Sequence, residues 1–239
     1  MVIGSAATTR RLLAGDTIHW ASQSEWIVAP QQERSRNSLR KVLVAAAQLF
    51  IERGYDETTL VDIAQHADVS VGAIYRRFPD KNSILSAVLE GYRQTRYSEI
   101  LQLTDADRWR GRSAVEIVTL HVDIMYTSFV HDEGVLRLIE RRRIFDPAVT
   151  RMLVAWNDHV SDNIARLLGP HAFRIPHRDL RAAVRFLHNT IRGSLVWAIL
   201  PMQGPRKEAI RPASRACRRE ALRMALAYLG LEGNRDGSQ

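Results

Sequence analysis

The sequence predicts an all-α protein in which an N-terminal three-helix domain, built around a helix-turn-helix, precedes a larger C-terminal helical bundle. Apolar residues recur at helical spacing from residue 37 onward, and no stretch alternates apolar and polar residues for long enough to form a strand. Of the 239 residues, 46% are hydrophobic and 25% are charged, which is typical of a globular protein and excludes bulk disorder.

Cysteine content and apolar run length exclude several classes of protein. Cys217 is the only cysteine, which excludes an internal disulfide framework and any metal site built from several cysteines. The longest apolar stretch, residues 194–202, is much shorter than the roughly 20 residues of a transmembrane helix. The first 30 residues lack the pattern of a signal peptide. These features predict a cytoplasmic protein that does not enter the membrane.

Changes in pattern along the chain predict four segments. Residues 1–36 have no sustained apolar period and are predicted to be a mobile arm, and residues 232–239 a polar tail. Between them, residues 37–97 are predicted to form the first domain and residues 98–231 the second. The net charge of +8 comes from the C-terminal third of the chain, whereas the first domain is nearly balanced. Net charge alone therefore does not locate a surface for nucleic acid.

Start and stop signals predict four helices in the first domain. The first begins at residue 37 or 38 and ends before Gly54, and the second begins at Thr58 or Thr59 with Asp62 in its first turn. A third helix is predicted from residue 71 to about residue 78, and Pro79 separates it from a fourth over residues 81–98. The second domain is predicted to contain helices over residues 113–130, 135–144, 148–168, 177–200 and 212–231.

Two short helices joined by a three-residue turn, residues 68–70, have the spacing of a helix-turn-helix. Ser70 caps the second of these helices, so that its N-terminus faces an anionic partner, and Gly72 allows that partner a close approach. Lys81 begins the next helix, where its side chain and the backbone N–H groups can together hold one phosphate. Donors for phosphates and base edges lie on the second helix of the motif, namely Tyr75, Arg76 and Arg77.

The same region resembles the DNA-binding domain of TetR-family transcriptional regulators. The resemblance implies a homodimer that binds double-stranded operator DNA through the first domain and a small-molecule effector through the second. It is carried by residues whose spacing is intact throughout: Val42, Leu43, Ala45, Ala46, Leu49, Phe50, Gly54, Tyr55, Thr58, Thr59, Ile63, Ala64, Ala67, Val69, Ser70, Gly72, Ile74, Tyr75, Phe78, Lys81 and Leu85.

Two positions depart from the family pattern. Asp68 stands in the turn where glycine is usual, and aspartate tolerates a positive φ better than most residues. The turn is therefore expected to form with slight strain. Arg77 stands where an aromatic residue or histidine is usual, and it adds a positive charge to the predicted DNA-binding face.

Candidate DNA contacts and candidate core residues alternate through this motif. Val61, on the outer face of the second helix, is a candidate for contact with a thymine methyl group. The residues interpreted as core are Ile63, Ala64, Val69, Ile74 and Phe78. The candidate DNA contacts are Thr59, Val61, Ser70, Val71, Gly72, Ala73, Tyr75, Arg76, Arg77 and Lys81.

The second domain contains candidates for an effector site. Methionine and aromatic side chains suit a hydrophobic, planar effector, and His121 or Asn189 would supply an orienting hydrogen bond. The candidates are His121, Met125, Phe129, Met152, Trp156 and Asn189. Further candidates for the same site are Phe186, His188, Arg192 and Trp197. Each of these residues has an alternative interpretation as an ordinary core or interface residue.

Two further surfaces are predicted in the second domain. The dimer surface is expected on the last two long helices, where Gly193, Ser194 and Ala198 allow close approach. This assignment follows from the family resemblance more than from the pattern. The run of Glu140 and three arginines, residues 140–143, is interpreted as a solvated helix face.

No pattern indicates catalysis, a cofactor or a metal. The P-loop, GxGxxG, GxSxG and HExxH patterns are absent, and His131, Asp132 and Glu133 are helix neighbours that do not share a face. The prediction is a non-enzymatic regulator, namely a dimeric repressor that a small hydrophobic effector releases from its operator. Two alternatives stay open: a DNA-binding protein whose second domain only dimerises, and a helical ligand-binding or catalytic protein that does not bind DNA.

Overall fold

The computed structural model of the protein describes residues 33–200 and 214–232, so the predicted arm up to residue 32 and the tail from residue 233 lie outside the described residues. These ranges contain nine α-helices, one 3-10 helix and no strand, which confirms the all-α class. The helices are α1 (Glu33–Glu52), α2 (Leu60–Ala67), α3 (Val71–Tyr75), α4 (Lys81–Leu103), α5 (Ala114–His131), α6 (Glu133–Arg142), α7 (Pro147–Leu168), the 3-10 helix (Gly169–Arg174), α8 (Leu180–Ile199) and α9 (Arg215–Tyr228).

The chain divides into two compact units, residues 1–98 and residues 99–239. Unit 1 contains α1, α2, α3 and most of α4, and unit 2 contains the end of α4 and the helices from α5 to α9. The division falls inside α4, one residue from the boundary that the sequence pattern predicts between residues 97 and 98.

The first helix begins earlier than its apolar pattern predicts. The pattern assigns residues 33–36 to the arm, and this is wrong because they form the first turn of α1. Glutamate and arginine are good helix formers, so a polar turn extends the helix without adding to its apolar period. The apolar face that follows is fully packed, with Leu39, Val42, Leu43 and Phe50 each at most 1% exposed.

Local signals define the connection from α1 to α2 as the sequence predicts. Gly54 has a φ of 97°, in the left-handed region that favours glycine after a helix. Thr59 caps α2, because its Oγ1 accepts a hydrogen bond from the Asp62 N–H at 3.1 Å. In return, Asp62 Oδ2 accepts from the Thr59 N–H at 2.8 Å. These hydrogen bonds from Thr59 lower the pKa of Asp62, and the pair satisfies two N–H groups at the helix start.

The ends of α3 and α4 differ from the prediction. α3 ends at Tyr75, three residues before the predicted end at residue 78. Pro79 disfavours helical backbone at Phe78, the residue directly before it, so the helix could not have reached the predicted end. Phe78 is nevertheless 0% exposed, so the segment after α3 still belongs to the core of unit 1. α4 continues to Leu103, beyond the predicted end at residue 98.

Unit 2 is a helical bundle in which α7 packs on α8, and α5 packs on α7, α8 and α9. The bounds of these helices lie within three residues of the predicted ones. The 3-10 helix was not predicted, since Gly169 and Pro170 indicate only the end of α7. The centre of the core contains Ile117, Val118, Val122, Val160, Ile164, Val184, Leu187, Ile191 and Leu195.

None of the described helices is long and apolar enough to cross a bilayer. Across residues 33–200 and 214–232, no group of three histidine, cysteine or acidic side chains is arranged to hold a metal ion.

Candidate functional site

The turn of the helix-turn-helix depends on one left-handed residue. Asp68 caps the C-terminus of α2 with φ 54° and ψ 53°, and it is the one non-glycine residue with positive φ in the described part of the chain. The Val69 N–H donates to the Ala64 carbonyl at 3.0 Å, which closes the end of the helix. The expectation that aspartate can replace glycine in this turn is confirmed.

The inner face of the motif is fully packed. Exposure lies between 0% and 4% for Ile63, Ala64, Ala67, Ile74 and Phe78. Val69, which the sequence assigns to the core, is only half-buried because it lies in the turn itself. The motif is thus held rigidly by apolar contacts behind it.

The outer face of the motif is open to solvent. Val61 is 62% exposed and Tyr75 is 57% exposed, although both side chains are large and apolar or aromatic. Gly72 is also exposed, and a Cβ added there would meet no atom within 4 Å, so the fold itself does not require glycine at this position. Of the other candidate DNA contacts, Thr59, Ser70 and Arg76 are exposed, whereas Val71, Ala73, Arg77 and Lys81 are half-buried.

Two of the candidate DNA contacts have structural roles as helix caps. Ser70 Oγ accepts a hydrogen bond from the Ala73 N–H at 3.2 Å, at the start of α3. Thr59 has the corresponding role at the start of α2. Their hydroxyl groups therefore fix the ends of the two helices of the motif.

The two adjacent arginines have different surroundings. Arg77 folds back along α3, where its Nη1 donates to the Ala73 carbonyl at 3.2 Å. Partial burial and the neighbouring charge of Arg76 lower the pKa of Arg77. Arg76 is exposed. Of the two arginines, Arg76 is therefore the one that is exposed on the outer face of the motif.

Lys81 forms a contact that the sequence does not predict. Its ammonium group donates to the carbonyls of Tyr55 at 2.7 Å, Thr58 at 2.7 Å and Asp56 at 3.3 Å. The same nitrogen lies 4.3 Å from the centroid of the Tyr55 ring, close enough for a cation–π interaction. An ammonium group has three N–H donors, and these three carbonyls use all of them. Lys81 thus fastens the start of α4 to the loop between α1 and α2.

The candidate effector residues of unit 2 do not share one environment. Met125 and Phe129 are buried in the core, and Trp156 packs against it. Met152 is half-buried, whereas Asn189 is exposed on α8. Phe186 and Trp197, two residues that the sequence proposes for the effector site, are 59% and 66% exposed. The apolar period of α8 does not separate its inner face from its outer one, since both carry large apolar residues.

His121 belongs to a buried polar chain. His121 and His188 are 0% and 1% exposed, and His121 Nε2 lies 3.0 Å from His188 Nδ1. The other nitrogen of His188 lies 3.2 Å from Asn157 Oδ1. Burial lowers the pKa of His121 to about 4, and burial together with the neighbouring His121 and Arg192 lowers the pKa of His188 well below its usual value. Both imidazoles are therefore neutral near pH 7.

The interpretation of residues 140–143 as a solvated face is wrong for Glu140. Its side chain is 2% exposed and forms ion pairs with Arg192 on α8 and with Arg143, the latter at 2.6 Å. Burial, partly offset by the charge of Glu140, lowers the pKa of Arg192. The sequence could not reveal this pair, because Arg192 lies 52 residues from Glu140.

Among the clefts on the described part of unit 2, three have volumes in the range of small-molecule sites. Two of them, of about 510 and 650 Å³, flank Trp109 at the connection between α4 and α5. The third, of about 520 Å³, lies on α7 and α8 beside His159. The candidate effector residues line none of these three clefts.

Comparison with known proteins agrees with this geometry. The family model described as bacterial regulatory proteins, tetR family, matches residues 42–88. The HTH-type transcriptional regulator YvkB of Bacillus subtilis is 33% identical over 99 residues, which are 39% of this chain and only about half, 52%, of that protein. The HTH-type transcriptional activator FasR of Mycolicibacterium smegmatis is 26% identical over 161 residues, which are 66% of this chain and 70% of that protein.

Solved structures share the fold over most of the chain. Salmonella enterica GusR has a TM-score of 0.58 at 19% identity, and the match covers 83% of this chain and 98% of that one. A transcriptional regulator from Saccharomonospora viridis, solved in complex with choline, has a TM-score of 0.61 at 18% identity and covers 79% and 95% of the two chains.

A helix-turn-helix with a packed inner face and an exposed outer face defines a DNA-binding transcriptional regulator. The family match lies on that motif, and the solved structures share the fold over most of the chain. Residues 42–88 therefore carry the helix-turn-helix that is typical of the tetR family of bacterial regulatory proteins.

Proposed function

We propose that this protein is a dimeric repressor that binds double-stranded operator DNA and is released from it by a small hydrophobic effector. The observation that carries the proposal is the exposure of Val61, Tyr75 and Arg76 on a motif whose inner face is fully packed. Large apolar side chains left in water beside a cation indicate a surface that another molecule covers. The proposal gives the chain no catalytic step, and its place of action is the cytoplasm, where operator DNA lies.

The chemistry of the outer face assigns a role to each exposed group. Arg76 and Tyr75 donate hydrogen bonds to phosphates or base edges, and Val61 contacts a thymine methyl group. Because Gly72 has no Cβ, the DNA backbone can approach the backbone of α3 closely at this position. Thr59, Ser70, Val71 and Ala73 lie at the starts of α2 and α3, where the helix dipoles favour an anionic partner, although the N–H groups of Thr59 and Ala73 already donate to the caps.

The outer face of α8 supports the dimer. Phe186 is 59% exposed, and Gly193 and Ser194 lie exposed two turns further along the helix. A Cβ added at Gly193 would meet no atom within 4 Å, so a close-packed second helix gives a reason for the glycine. On α9, Met224 is 38% exposed between the small exposed residues Ala216 and Ala227. Two such helices from each chain form a four-helix interface with small residues at its centre.

Effector control follows from the dimer. Two reading helices fit successive major grooves only when they lie about 34–36 Å apart. An effector that binds better to a dimer with another spacing shifts the population away from the DNA-bound form.

The first experiment identifies the operator. Purified protein is incubated with fragmented genomic DNA, and the retained fragments are sequenced. We expect a few strongly enriched fragments that share a sequence with twofold symmetry, as a dimer requires. Uniform retention of unrelated fragments would contradict specific recognition.

The second experiment tests the reading face on the enriched fragment. Gly72→Ala should reduce affinity at least tenfold, about 1.4 kcal/mol, because the added methyl group blocks close approach. Its stability should be equal or higher by up to about 1 kcal/mol, because the methyl group meets nothing in the free protein and alanine loses less backbone entropy than glycine in a helix. Arg151→Ala is the matched control for Arg76→Ala, because it removes one exposed arginine from α7. If Gly72→Ala and Arg76→Ala bind DNA as the wild type and the control Arg151→Ala do, the reading face lies elsewhere.

A further inference from the structure

The histidine pair lies where three helices of unit 2 meet. His121 is on α5, His188 on α8 and Asn157 on α7. The residues one turn before and after His121 on α5, Ile117 and Met125, are buried and apolar. An apolar side chain at position 121 would pack against these residues as well as histidine does. The buried hydrogen-bonded chain of His121, His188 and Asn157 therefore needs a separate explanation.

The hydrogen bonds fix the tautomers of both histidines. Asn157 Oδ1 can only accept, so His188 Nε2 carries the hydrogen and donates to it. A neutral His188 then has a bare Nδ1, which accepts from His121 Nε2–H at 3.0 Å. It follows that His121 Nδ1 is also bare and can only accept.

His121 Nδ1 has no hydrogen-bond partner among the residues that the structure describes, and the side chain is fully buried. A buried acceptor without a partner costs the full desolvation of that group. A trapped water molecule would need two to four polar partners, whereas the residues one turn away on α5 are apolar. An atom with a fixed lone pair and no partner is suited to a donor that arrives with a ligand.

We propose that His121 Nδ1 is the hydrogen-bond acceptor for the effector, which is therefore an apolar molecule that carries a hydroxyl or N–H donor. The inference rests on the proposed function of unit 2 as the effector-binding unit, and it adds the chemical class of the effector. A carboxylate or ether at the same place would put its own lone pairs against that of His121 and is rejected.

Neighbouring charges keep His121 and His188 neutral, so that His121 Nδ1 stays a hydrogen-bond acceptor. Arg192 lies one turn after His188 on α8 and is ion-paired with Glu140 of α6, which also pairs with Arg143. A cation beside His188 opposes protonation of the pair. Met125 lies one turn from His121, and its flexible side chain can move to make room for a ligand.

The test uses three matched pairs of probes, each a donor and its methylated counterpart: 2-naphthol and 2-methoxynaphthalene, indole and 1-methylindole, and 1-decanol and 1-methoxydecane. Binding to the full-length protein is measured by thermal shift and by calorimetric titration. We expect at least one donor to bind about tenfold more tightly than its methylated partner, which corresponds to about 1.4 kcal/mol. His121→Leu should abolish this preference, whereas the control His159→Leu, on α7 outside the core cluster, should retain it.

The result separates this inference from the proposed function. Equal binding of donor and methylated probes overturns the chemical class but leaves an effector site in place. Absence of binding by all six probes also overturns the inference, while operator binding by the same protein sample decides the DNA-binding part of the proposal independently. A preference that persists in His121→Leu assigns the acceptor to another residue and overturns the inference as well.

A spectroscopic measurement covers the case in which His121→Leu does not fold. Long-range ¹⁵N–¹H correlation spectra of the wild type report which ring nitrogen carries the hydrogen. We expect both histidines as Nε2–H tautomers near pH 7, and we expect a donor probe to shift the Nδ1 resonance of His121. An Nδ1–H tautomer of His121, or an Nδ1 resonance that no donor probe shifts, overturns the proposal.

Discussion

The two units of the molecule differ in how they place polar side chains. In unit 1 several polar pairs are short-range caps, such as Thr59 with Asp62 and Asp80 with Ser83, each three residues apart. Unit 2 has such short-range pairs at its surface as well, but two of its polar pairs lie inside the bundle and join distant parts of the chain. His121 and His188 are 67 residues apart, and Glu140 and Arg192 are 52 residues apart.

This difference suits the different tasks that the proposed function gives to the two units. A motif that docks on many phosphates needs rigid helices with free outer faces, and short-range caps supply them without using the outer face. A bundle that answers to one ligand needs a few fixed polar groups inside an apolar core. Unit 1 also has longer-range polar contacts, because Lys81 donates to carbonyls 23 to 26 positions away and His66 Nε2 lies 3.0 Å from Gln48 Oε1, 18 positions away.

The largest expected effect tests the buried ion pair of unit 2. Glu140→Gln keeps the shape of the side chain but leaves Arg192 without its charge partner inside the bundle. Breaking a buried pair in this way costs about 3–5 kcal/mol, so we expect a loss of that size in the free energy of unfolding in urea. The control is Glu133→Gln, whose partner Arg137 is on the same exposed helix face, and it should cost roughly 1 kcal/mol or less. Equal effects would remove the contrast between buried and exposed pairs.

The second prediction concerns pH. The ordinary pKa of histidine, 6.5, falls to about 4 for the buried His121, so the unfolded chain binds more protons between these values. The free energy of unfolding should therefore be highest above pH 6.5 and fall as the pH drops, by about 3 kcal/mol at pH 4 for this group. Urea unfolding at pH 7 and pH 4 measures the change. The double variant His121→Leu/His188→Leu should lose less stability over the same interval, and an unchanged slope would place the acid sensitivity elsewhere.

The third prediction tests Lys81, which sequence and structure interpret differently. If Lys81 fastens the loop between α1 and α2, Lys81→Ala should lower the free energy of unfolding by about 2 kcal/mol, because three carbonyls lose a charged donor. The dependence of DNA affinity on salt should then change little. If Lys81 instead holds a phosphate, the salt slope should decrease by about one. Arg76→Ala is the comparison, since removal of an exposed contact should reduce the salt slope while stability stays within about 0.5 kcal/mol.

The smallest expected effect concerns the strained turn. Asp68→Ala should cost about 1 kcal/mol, because alanine tolerates a φ of 54° less well than aspartate. Asp68→Gly should change stability by no more than about 0.5 kcal/mol, since relief of strain opposes the larger entropy of the unfolded glycine. Thermal unfolding of both variants measures the difference. A destabilised glycine variant would show that the aspartate side chain, and not the backbone, holds the turn.

The sequence by itself determined the fold class, the helix-turn-helix and its packed face. Signals within a few residues of each other, such as Gly54, the Thr59 cap and the turn at Asp68, decide these features, and a pattern read along the chain detects them. The same reasoning gave the bounds of α5 to α9 to within three residues. It placed the start of α1 too late, because a polar first turn adds nothing to an apolar period.

Only the tertiary structure decided which polar residues are buried together. Glu140 and Arg192, or His121 and His188, become partners when α6, α5 and α8 pack, and no local spacing records such a pair. The three carbonyls that bind Lys81 likewise converge only after the loop between α1 and α2 has folded. Phe186 and Trp197 are apolar residues on a periodic helix, and the packing of α8 decided that they face outward. The physical reason is the same throughout: hydrogen bonds and charges of the interior depend on distances in space, whereas helix and turn signals depend on distances along the chain.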